Sequence, residues 1–516
     1  MNISDELKEE LNGNFPEFVE KTKSFFKKEI KPSAYKSTSG GYGCYGERGA
    51  DSVMYRLRFS GGVIEKPQMR FLIDTIKDYS LDFLHFSTGE SIQIQHLSGE
   101  EVIELFPKAH AAGIYTRGGG SDFPRNMTAS PLHGITKNEA FDVTPYLNAA
   151  RIYLLTLITE LNLPRKYKIT FSSGKENDAH ANFKDLGFIA KDDGTFDVYA
   201  AGGLGPNPRI ATKVDEGVDP KKVLYYMHAM GRLYGDHGDH KNRAKARSRY
   251  IAARLGDDAF KKLFHEYLAR TLKEENLDIE PEVFSIKKKG DGKAPKSALA
   301  VPQRQEGLYY VQYHPFCGDP DVNIFHELLT YVEGLEAGEL RLNTDESVYA
   351  INLTAEEADH VAKLIEKDTA KTSFDRSISC VGANVCQIGL RDSAGMLRKI
   401  REAVERAGVN KAHLPQIRIS GCQNSCSAHQ MGEIGFCGFT KKVKGKPVPS
   451  FILFIDGAHS LQDTHFGKQV GNIAMDDVPK FFVDLGEALD RENKDFTAWR
   501  EENKSEFDAL LGKYGA

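Results

Sequence analysis

Cysteine is scarce in this chain, seven residues in 516, and tryptophan occurs once. Thiols so few, odd in number and gathered late argue against a disulfide framework and for a reducing compartment, so a cytoplasmic protein is expected. No run approaches the roughly 20 apolar residues of a membrane span. The opening MNISDELKEELNGNFPEF has neither an apolar signal core nor an arginine-rich transit composition. Charge of one sign is also lacking: a net −5 with 27% charged residues gives no global drive toward nucleic acid or a membrane surface, so any basic site must be local. The length allows about three domains of about 150 residues.

What cysteine there is has a pattern. Cys380 and Cys386 form a C-x5-C pair, and Cys422 and Cys426 a C-x3-C pair. Each pair follows a short apolar strand, and a helix is expected from Gln387 to Arg406. Four thiolates on loops at strand ends can converge on one soft centre, a [4Fe–4S] cluster or a structural zinc, and spacing does not separate these. Cys44, Cys317 and Cys437 read as buried or free thiols.

The chain also repeats itself. Residues 84–102 align without gaps to 340–358, with seven of nineteen positions identical. Both copies read as strand, turn, strand, then an N-cap (Ser98, Thr354) opening a helix. Upstream of each lies a further strand and helix, Val53–Phe59 with Gln68–Tyr79 and Leu308–Tyr313 with Val322–Leu335. A second similarity pairs Leu163-Pro164, a strand, His180 and Leu186-Gly187-Phe188 with Leu414-Pro415, a strand, His429 and Ile434-Gly435-Phe436. The expected fold class is α+β, a pseudo-twofold tandem repeat of ferredoxin-like half-domains, each followed by a larger α/β module. The expected boundaries are an N-terminal helical segment 1–45, half-domain 46–112, anion-binding module 113–286, half-domain 303–368 and cysteine module 372–516. Helices near Pro16–Lys28, Val478–Leu489 and Lys504–Leu511 would wrap the outside, and a linker Lys287–Pro302 would separate the halves.

Local cations recur in this acidic chain. Strand periodicity puts Arg56 and Arg58 on one face, with Tyr55, Leu57 and Phe59 on the other, and sets Lys166 beside Lys168 on a strand 165–171. Between them Arg117-Gly-Gly-Gly-Ser-Asp-Phe-Pro-Arg125-Asn126 can bring backbone amides and an arginine to an anion. A further run carries Arg243, Lys245, Arg247 and Arg249; on a helix it would be a surface stripe, a nucleic-acid contact or the partner of a polyanionic cofactor, and the shortage of aromatic residues weakens the second option. Gly202-Gly203-Leu204-Gly205 lacks the third glycine of a dinucleotide fingerprint and reads as a turn. His237 and His240 have no further ligand and read as a surface loop.

Together these features resemble the siroheme-dependent sulfite and nitrite reductases along most of the chain: duplicated ferredoxin-like half-domains, C-x5-C, and Gly421-Cys-Gln-Asn-Ser-Cys426 with Gln423 where proline is more usual. The resemblance implies that Cys380, Cys386, Cys422 and Cys426 bind [4Fe–4S], that Cys426 also ligates the siroheme iron, and that Arg58, Arg125, Lys166 and Lys168 hold a small inorganic anion. Siroheme is a polycarboxylate, for which Arg243, Lys245, Arg247 and Arg249 are suited, with Arg117, Asn126 and Asn424 as further contacts. Lys166-x-Lys168 matches sulfite reducers, where nitrite reducers tend to have Lys-x-Asn, so sulfite is expected, with nitrite as the alternative within the family and a non-enzymatic four-cysteine metal protein as the rival outside it. Thr88-Gly89-Glu90 departs from the family's Thr-Arg-Gln or Asn-Arg-Gln, removing an arginine expected to reach a cofactor carboxylate. With no flavin or nicotinamide domain in evidence, electrons should come from a separate protein, a ferredoxin or a flavoprotein subunit; neither nucleic acid nor membrane is expected as a partner.

Overall fold

The computed structural model describes residues 3–282 and 285–515. The first and last expected boundaries, Met1 and Ala516, lie outside the described residues. The chain forms two compact units. The larger comprises 1–203, 208–313 and 320–367, and the smaller 204–207, 314–319 and 368–516.

Within the larger unit both repeats 84–102 and 340–358 adopt one design. Strands Leu84–Ser87 and Ser91–Leu97 lead into helix Gly99–Ala111, and strands Glu339–Leu342 and Val348–Leu353 into helix Ala355–Ile365. Each helix opens on a reciprocal capping box, Ser98 with Glu101 and Thr354 with Glu357, which satisfies amides the first turn leaves unbonded. Left-handed backbone also recurs at matching places, Glu90 with Glu346 and His96 with Asn352. Strand Val53–Arg58 and helix Lys66–Asp78 complete one β-α-β-β-α module; strand Tyr309–Tyr313 and helix Val322–Gly334 complete the other. The modules share one apolar core, in which Phe86 packs edge-on against Phe325 at 4.9 Å, and strand Val63–Ile64 of the first pairs with Glu339–Leu342 of the second. Mixed α/β architecture with ferredoxin-like half-domains is therefore the observed fold class.

The expected linker is not free. Lys288 pairs with Glu357 at 2.5 Å, Lys293 with Glu356, and the Lys296 and Ser297 amides donate to Asp359, all on helix Ala355–Ile365. Its end, Ala300–Pro302, joins the second half-domain sheet as an edge strand, where proline's missing amide costs no ladder bond.

Two further sheets share one topology. In the larger unit the order is Thr128–Ala129, Ile169–Ser172, Leu186–Ala190, Phe196–Ala200, Thr212–Val218; in the smaller it is Ile378–Ser379, Ile417–Ser420, Ile434–Val443, Lys446–Ile455, Lys468–Ala474. The first two pairings are parallel and the rest antiparallel in both, with Ile169 opposite Leu186 and Ile417 opposite Ile434. This register corrects one expected pairing. His180 precedes the turn Ala181–Phe183, whereas His429 opens the turn His429–Met431, so Ala428 is the counterpart of His180; both are left-handed.

Two element boundaries also move. The helix expected from Gln387 begins at Ser393 and runs to Ala407, because Asp392 caps it by accepting the Gly395 amide at 3.0 Å. Cys386 therefore sits in a turn. The strand expected over 165–171 begins at Ile169, with Tyr167 held by a single bridge to Pro124. The outer helices run Phe15–Phe26, Val478–Glu492 and Lys504–Lys513. No helix among the described residues is long and apolar enough to cross a membrane.

Candidate active site

In the larger unit the strand Val53–Arg58 buries Tyr55, Leu57 and Phe59 completely and turns Arg56 and Arg58 to its other face. There they meet the loop 117–125. Arg58 donates to the Arg117 carbonyl and, at 3.3 Å, to that of Arg125; Arg56 reaches the Gly119 carbonyl at 3.0 Å; Arg125 donates to the carbonyls of Gly119 and Ser121. The loop's amides are not an anion cradle as expected. Those of Gly118, Gly119 and Ser121 are spent on Gly41, Thr116 and the Tyr45 hydroxyl. Its glycines serve close approach instead: a Cβ at Gly120 would stand 2.1 Å from the Tyr45 hydroxyl. The loop thus works through its carbonyls, which aim three arginines.

Arg58 is buried, with half-buried Arg56 and Arg125 beside it. Burial lowers Arg58 to about 9, with Arg125 adding repulsion, and lowers Arg125 to about 10, with Arg56 and Arg165 opposing it and Tyr45 and Asp122 in its favour. Burial raises Tyr45, yet Arg125, Arg56, the Ser121 amide and Lys36 more than offset this and hold it below the ordinary phenol value. A phenol so shifted reports a strongly positive local field.

Two carboxylates gather the remaining cations. Asp122 takes a two-pronged contact from Arg243 at 2.6 and 3.0 Å and lies 3.5 Å from Arg165. Asp185, fully buried, accepts the Lys168 amide at 2.9 Å, Arg247 at 2.8 Å and the Ser248 hydroxyl. Lys166 and Lys168 are half-buried and flank Tyr167, whose fully buried ring donates its hydroxyl to the Met227 carbonyl at 3.1 Å. Arg243, Arg247, Lys168 and the 117–125 loop are therefore bound into one array. The basic run is not one helix; it is the turn Arg243–Lys245 followed by helix Arg249–Leu255. Arg249 is buried, with its guanidinium over the Tyr250 ring at 4.8 Å, and Lys245 points to solvent.

Other expected contacts are engaged elsewhere. The Arg117 guanidinium lies 4.7 Å from the Tyr42 ring and 4.9 Å from that of Phe123. The Asn126 amide ties together the carbonyls of Phe59, Gly89 and Glu90. Glu90 is fully buried; both its oxygens accept the Ala129 amide, and burial pushes its carboxyl well above the usual range. The nucleotide-like glycines 202, 203 and 205 run to strand Thr212–Val218 without a helix.

The smaller unit carries the four thiols. Cys380 ends the strand Ile378–Ser379; its sulfur accepts the Gly421 amide at 3.2 Å and lies 3.0 Å from the Ser393 hydroxyl. Burial raises Cys380 to about 12, with Cys426 adding to the rise. Cys422 is raised by burial and by Cys426 and Cys386, while the Asn424 amide and side chain bond its sulfur. The four thiols are thus one another's electrostatic neighbours, and Cys426 is the most exposed of them. Cys437 lies by Cys422 and is raised to about 12 by burial first. Left-handed Ser425 and Ala428 shape this loop as left-handed Asn177 and His180 shape its counterpart, where a Ser130–Asp178 hydrogen bond occupies the positions of Cys380 and Cys426. Among the described residues no three His, Cys, Asp or Glu side chains are placed to hold one metal ion. The donor set nevertheless fits a cluster: four soft sulfurs share one neighbourhood, and amides point at two of them.

Sequence reasoning missed Tyr45, Asp122 and Asp185, whose partners lie far along the chain.

Comparison with known proteins agrees with this chemistry. Residues 45–112 match the nitrite/sulfite reductase ferredoxin-like half domain, and residues 120–272 the nitrite and sulphite reductase 4Fe-4S domain. The chain is 26% identical to an assimilatory ferredoxin-dependent nitrite reductase of Haloferax mediterranei, covering 84% of this chain and 79% of that one. It is 26% identical to a ferredoxin--nitrite reductase of Synechococcus elongatus, covering 83% and 84%. A sulfite reductase [ferredoxin] 2 of Mycolicibacterium paratuberculosis is 25% identical, covering 87% and 80%. The solved structure of the Mycobacterium tuberculosis NirA protein shares the fold with a TM-score of 0.76 over 92% of both chains, at 22% identity. The chain carries both characteristic domains of the nitrite and sulfite reductases, oxidoreductases whose cofactors are siroheme and a [4Fe–4S] cluster.

Proposed function

We propose that the protein takes electrons one at a time from a ferredoxin and reduces nitrite to ammonium, a conversion consuming six electrons and eight protons and releasing two waters. The observation that carries an anion reductase is the array of buried Arg58 and half-buried Arg56, Arg125 and Arg165, whose mutual repulsion leaves positive field for a small anion. Nitrite is favoured over the sulfite expected from Lys166 and Lys168, because the two nitrite reductases above resemble the chain at least as well as the sulfite reductase does. The ferredoxin donor is supported by the same relatives, each named as a ferredoxin-dependent reductase.

When bound, the cofactors supply electron storage and an iron at which an oxyanion can be reduced. Cys380, Cys386, Cys422 and Cys426 would hold the cluster, and Cys426, the most exposed, would also serve the siroheme. The chain's own part is to bind, orient and protonate. The carbonyls of Gly119, Ser121 and Arg125 keep the arginines oriented before substrate arrives, which removes reorganisation from the reaction. Each close cation stabilises a bound anion by about 4 kcal/mol at an effective dielectric near 20, before desolvation. Lys166 and Lys168 hold protons near this array and can supply them as oxygen leaves as water. Asp185, by accepting the Lys168 backbone amide, fixes the backbone from which that ammonium extends.

The pair Lys166 and Lys168 sustains sulfite as a second reading, since sulfite approaches a dianion and gains more from a second ammonium. Steady-state kinetics with both anions and reduced viologen tests the two. A higher kcat/KM for nitrite is expected; a clear preference for sulfite would reverse the assignment. An absorption spectrum without siroheme bands, from a zinc-containing protein, would remove both.

A further inference from the structure

We propose that the smaller unit receives its electron donor, a small acidic protein with a one-electron iron–sulfur centre, on the face formed by Ile388, Leu390, Arg391 and the lysine hairpin Lys441–Lys446. This inference rests on the reading of the protein as a reductase fed by a separate carrier.

Three observations carry it. First, Ile388 and Leu390, at 55% and 52% exposure, are the most exposed large apolar side chains among the described residues, and Val443 at 42% joins them. Single exposed apolar residues are ordinary, but these stand in one neighbourhood: the Arg391 guanidinium donates to Thr440 at 2.5 Å, joining the loop 387–391 to the strand Ile434–Val443. Second, that loop borders the cysteine loops. Ile388 follows Cys386 by two residues, and the Leu390 and Arg391 amides both donate to the Gly421 carbonyl, the residue before Cys422, at 3.0 and 2.9 Å. A partner seated there would lie beside both cysteine pairs.

Third, the charge is of one sign. In a chain of net −5, residues 376–391, 406–432 and 434–455 contain no carboxylate. The hairpin alone carries Lys441, Lys442, Lys444 and Lys446, none of them in an ion pair among the described residues; Lys441 donates instead to the Asn472 carbonyl. Val443 faces Lys446 across a two-residue turn, Lys444-Gly445, with both residues left-handed. Such a turn matches strand twist and makes a stiff hairpin, so the lysines are presented without a large ordering cost. An apolar centre rimmed by unpaired cations is complementary to an acidic partner, and the rim mainly sets association rate and salt dependence.

The test uses the cofactor-loaded enzyme and a plant-type [2Fe–2S] ferredoxin. Affinity is measured by titration calorimetry at low and high salt, alongside turnover with reduced ferredoxin and with reduced methyl viologen. For K442E/K444E the ferredoxin Kd should rise about tenfold or more with a weaker salt dependence, ferredoxin-supported turnover should fall, and viologen-supported turnover should stay within about twofold. Ile388→Ser should weaken binding at all salt concentrations, and K442R/K444R should restore it. An unchanged Kd in K442E/K444E, or no binding by the wild type at low salt, overturns the docking face. Absence of any viologen-supported nitrite or sulfite reduction would instead overturn the reductase reading, while the calorimetry still decides the surface.

Discussion

Cys426 is the residue on which most of the chemistry turns, and its neighbours explain why it differs from the other thiols. Cys380 and Cys422 receive backbone amides and are partly buried, whereas Cys426 is exposed on a turn whose left-handed residues, Ser425 and Ala428, bracket it. For Cys426→Ser we expect siroheme to lose its magnetic coupling to the cluster, read by electron paramagnetic resonance, with six-electron turnover lost; full turnover would show that another ligand makes the bridge. Lys168 is the second decisive residue. For Lys168→Asn we expect kcat/KM for both anions to fall, and that for sulfite to fall about tenfold further than that for nitrite, because removing one ammonium costs the more highly charged anion more. Equal losses would show that the lysine does not discriminate. The Lys-x-Lys spacing and the four cysteines were legible in the sequence, since a side-chain type is visible there. The anchors Asp122 and Asp185 were not, because each acts through partners distant along the chain: Asp185 joins the Lys168 amide to Arg247.

At the scale of elements the repeated sheets make a strong constraint visible. Gly187 and Gly435 hold the same position in their strands. A Cβ would stand 2.2 Å from the Ala181 carbonyl oxygen in one and 1.9 Å from the His429 carbonyl oxygen in the other. Backbone cannot retreat as a side-chain tip can, so Gly435→Ala should cost about 3 kcal/mol and displace the cysteine loop with loss of cluster absorbance. Gly187→Ala should cost a similar amount while leaving the cluster's absorbance in the folded protein; cluster loss in both would refute the separation. Helix Gly99–Ala111 offers a pH-dependent counterpart. Burial lowers His110 to about 4, with Phe106 and Tyr115 packed on its ring and its Nδ1 3.1 Å from the Asn12 side-chain oxygen. Its folded value lies below its unfolded value near 6.5, so the unfolded chain binds the proton first. Stability present above pH 6.5 is therefore lost as pH falls toward 4, by at most about 3 kcal/mol. Urea midpoints at pH 7 and pH 5 should differ more for wild type than for His110→Phe; equal differences would assign acid lability elsewhere.

For the whole molecule, the two units divide the chemistry: the arginine and lysine array belongs to the larger and the four thiols to the smaller. Hydrogen exchange on Cys422→Ser should accordingly show loss of protection around 376–440, with none in the half-domain strands Val53–Arg58 and Tyr309–Tyr313. Equal loosening of those strands would show that the cluster stabilises the entire chain. The amino-acid sequence by itself determined the duplicated half-domains, the capping boxes, the thiol quartet and the alternation that puts Arg56 and Arg58 on one strand face, because each depends on residues adjacent or at short fixed spacing. Only the tertiary structure decided that the glycine-rich loop works through carbonyls rather than amides, that Arg117 turns onto aromatic rings, that Ala428 and not His429 answers His180, and that Cys386 lies outside the helix. Those outcomes depend on which distant groups reach a backbone atom first, and competition among distant partners leaves no periodic trace in a linear chain.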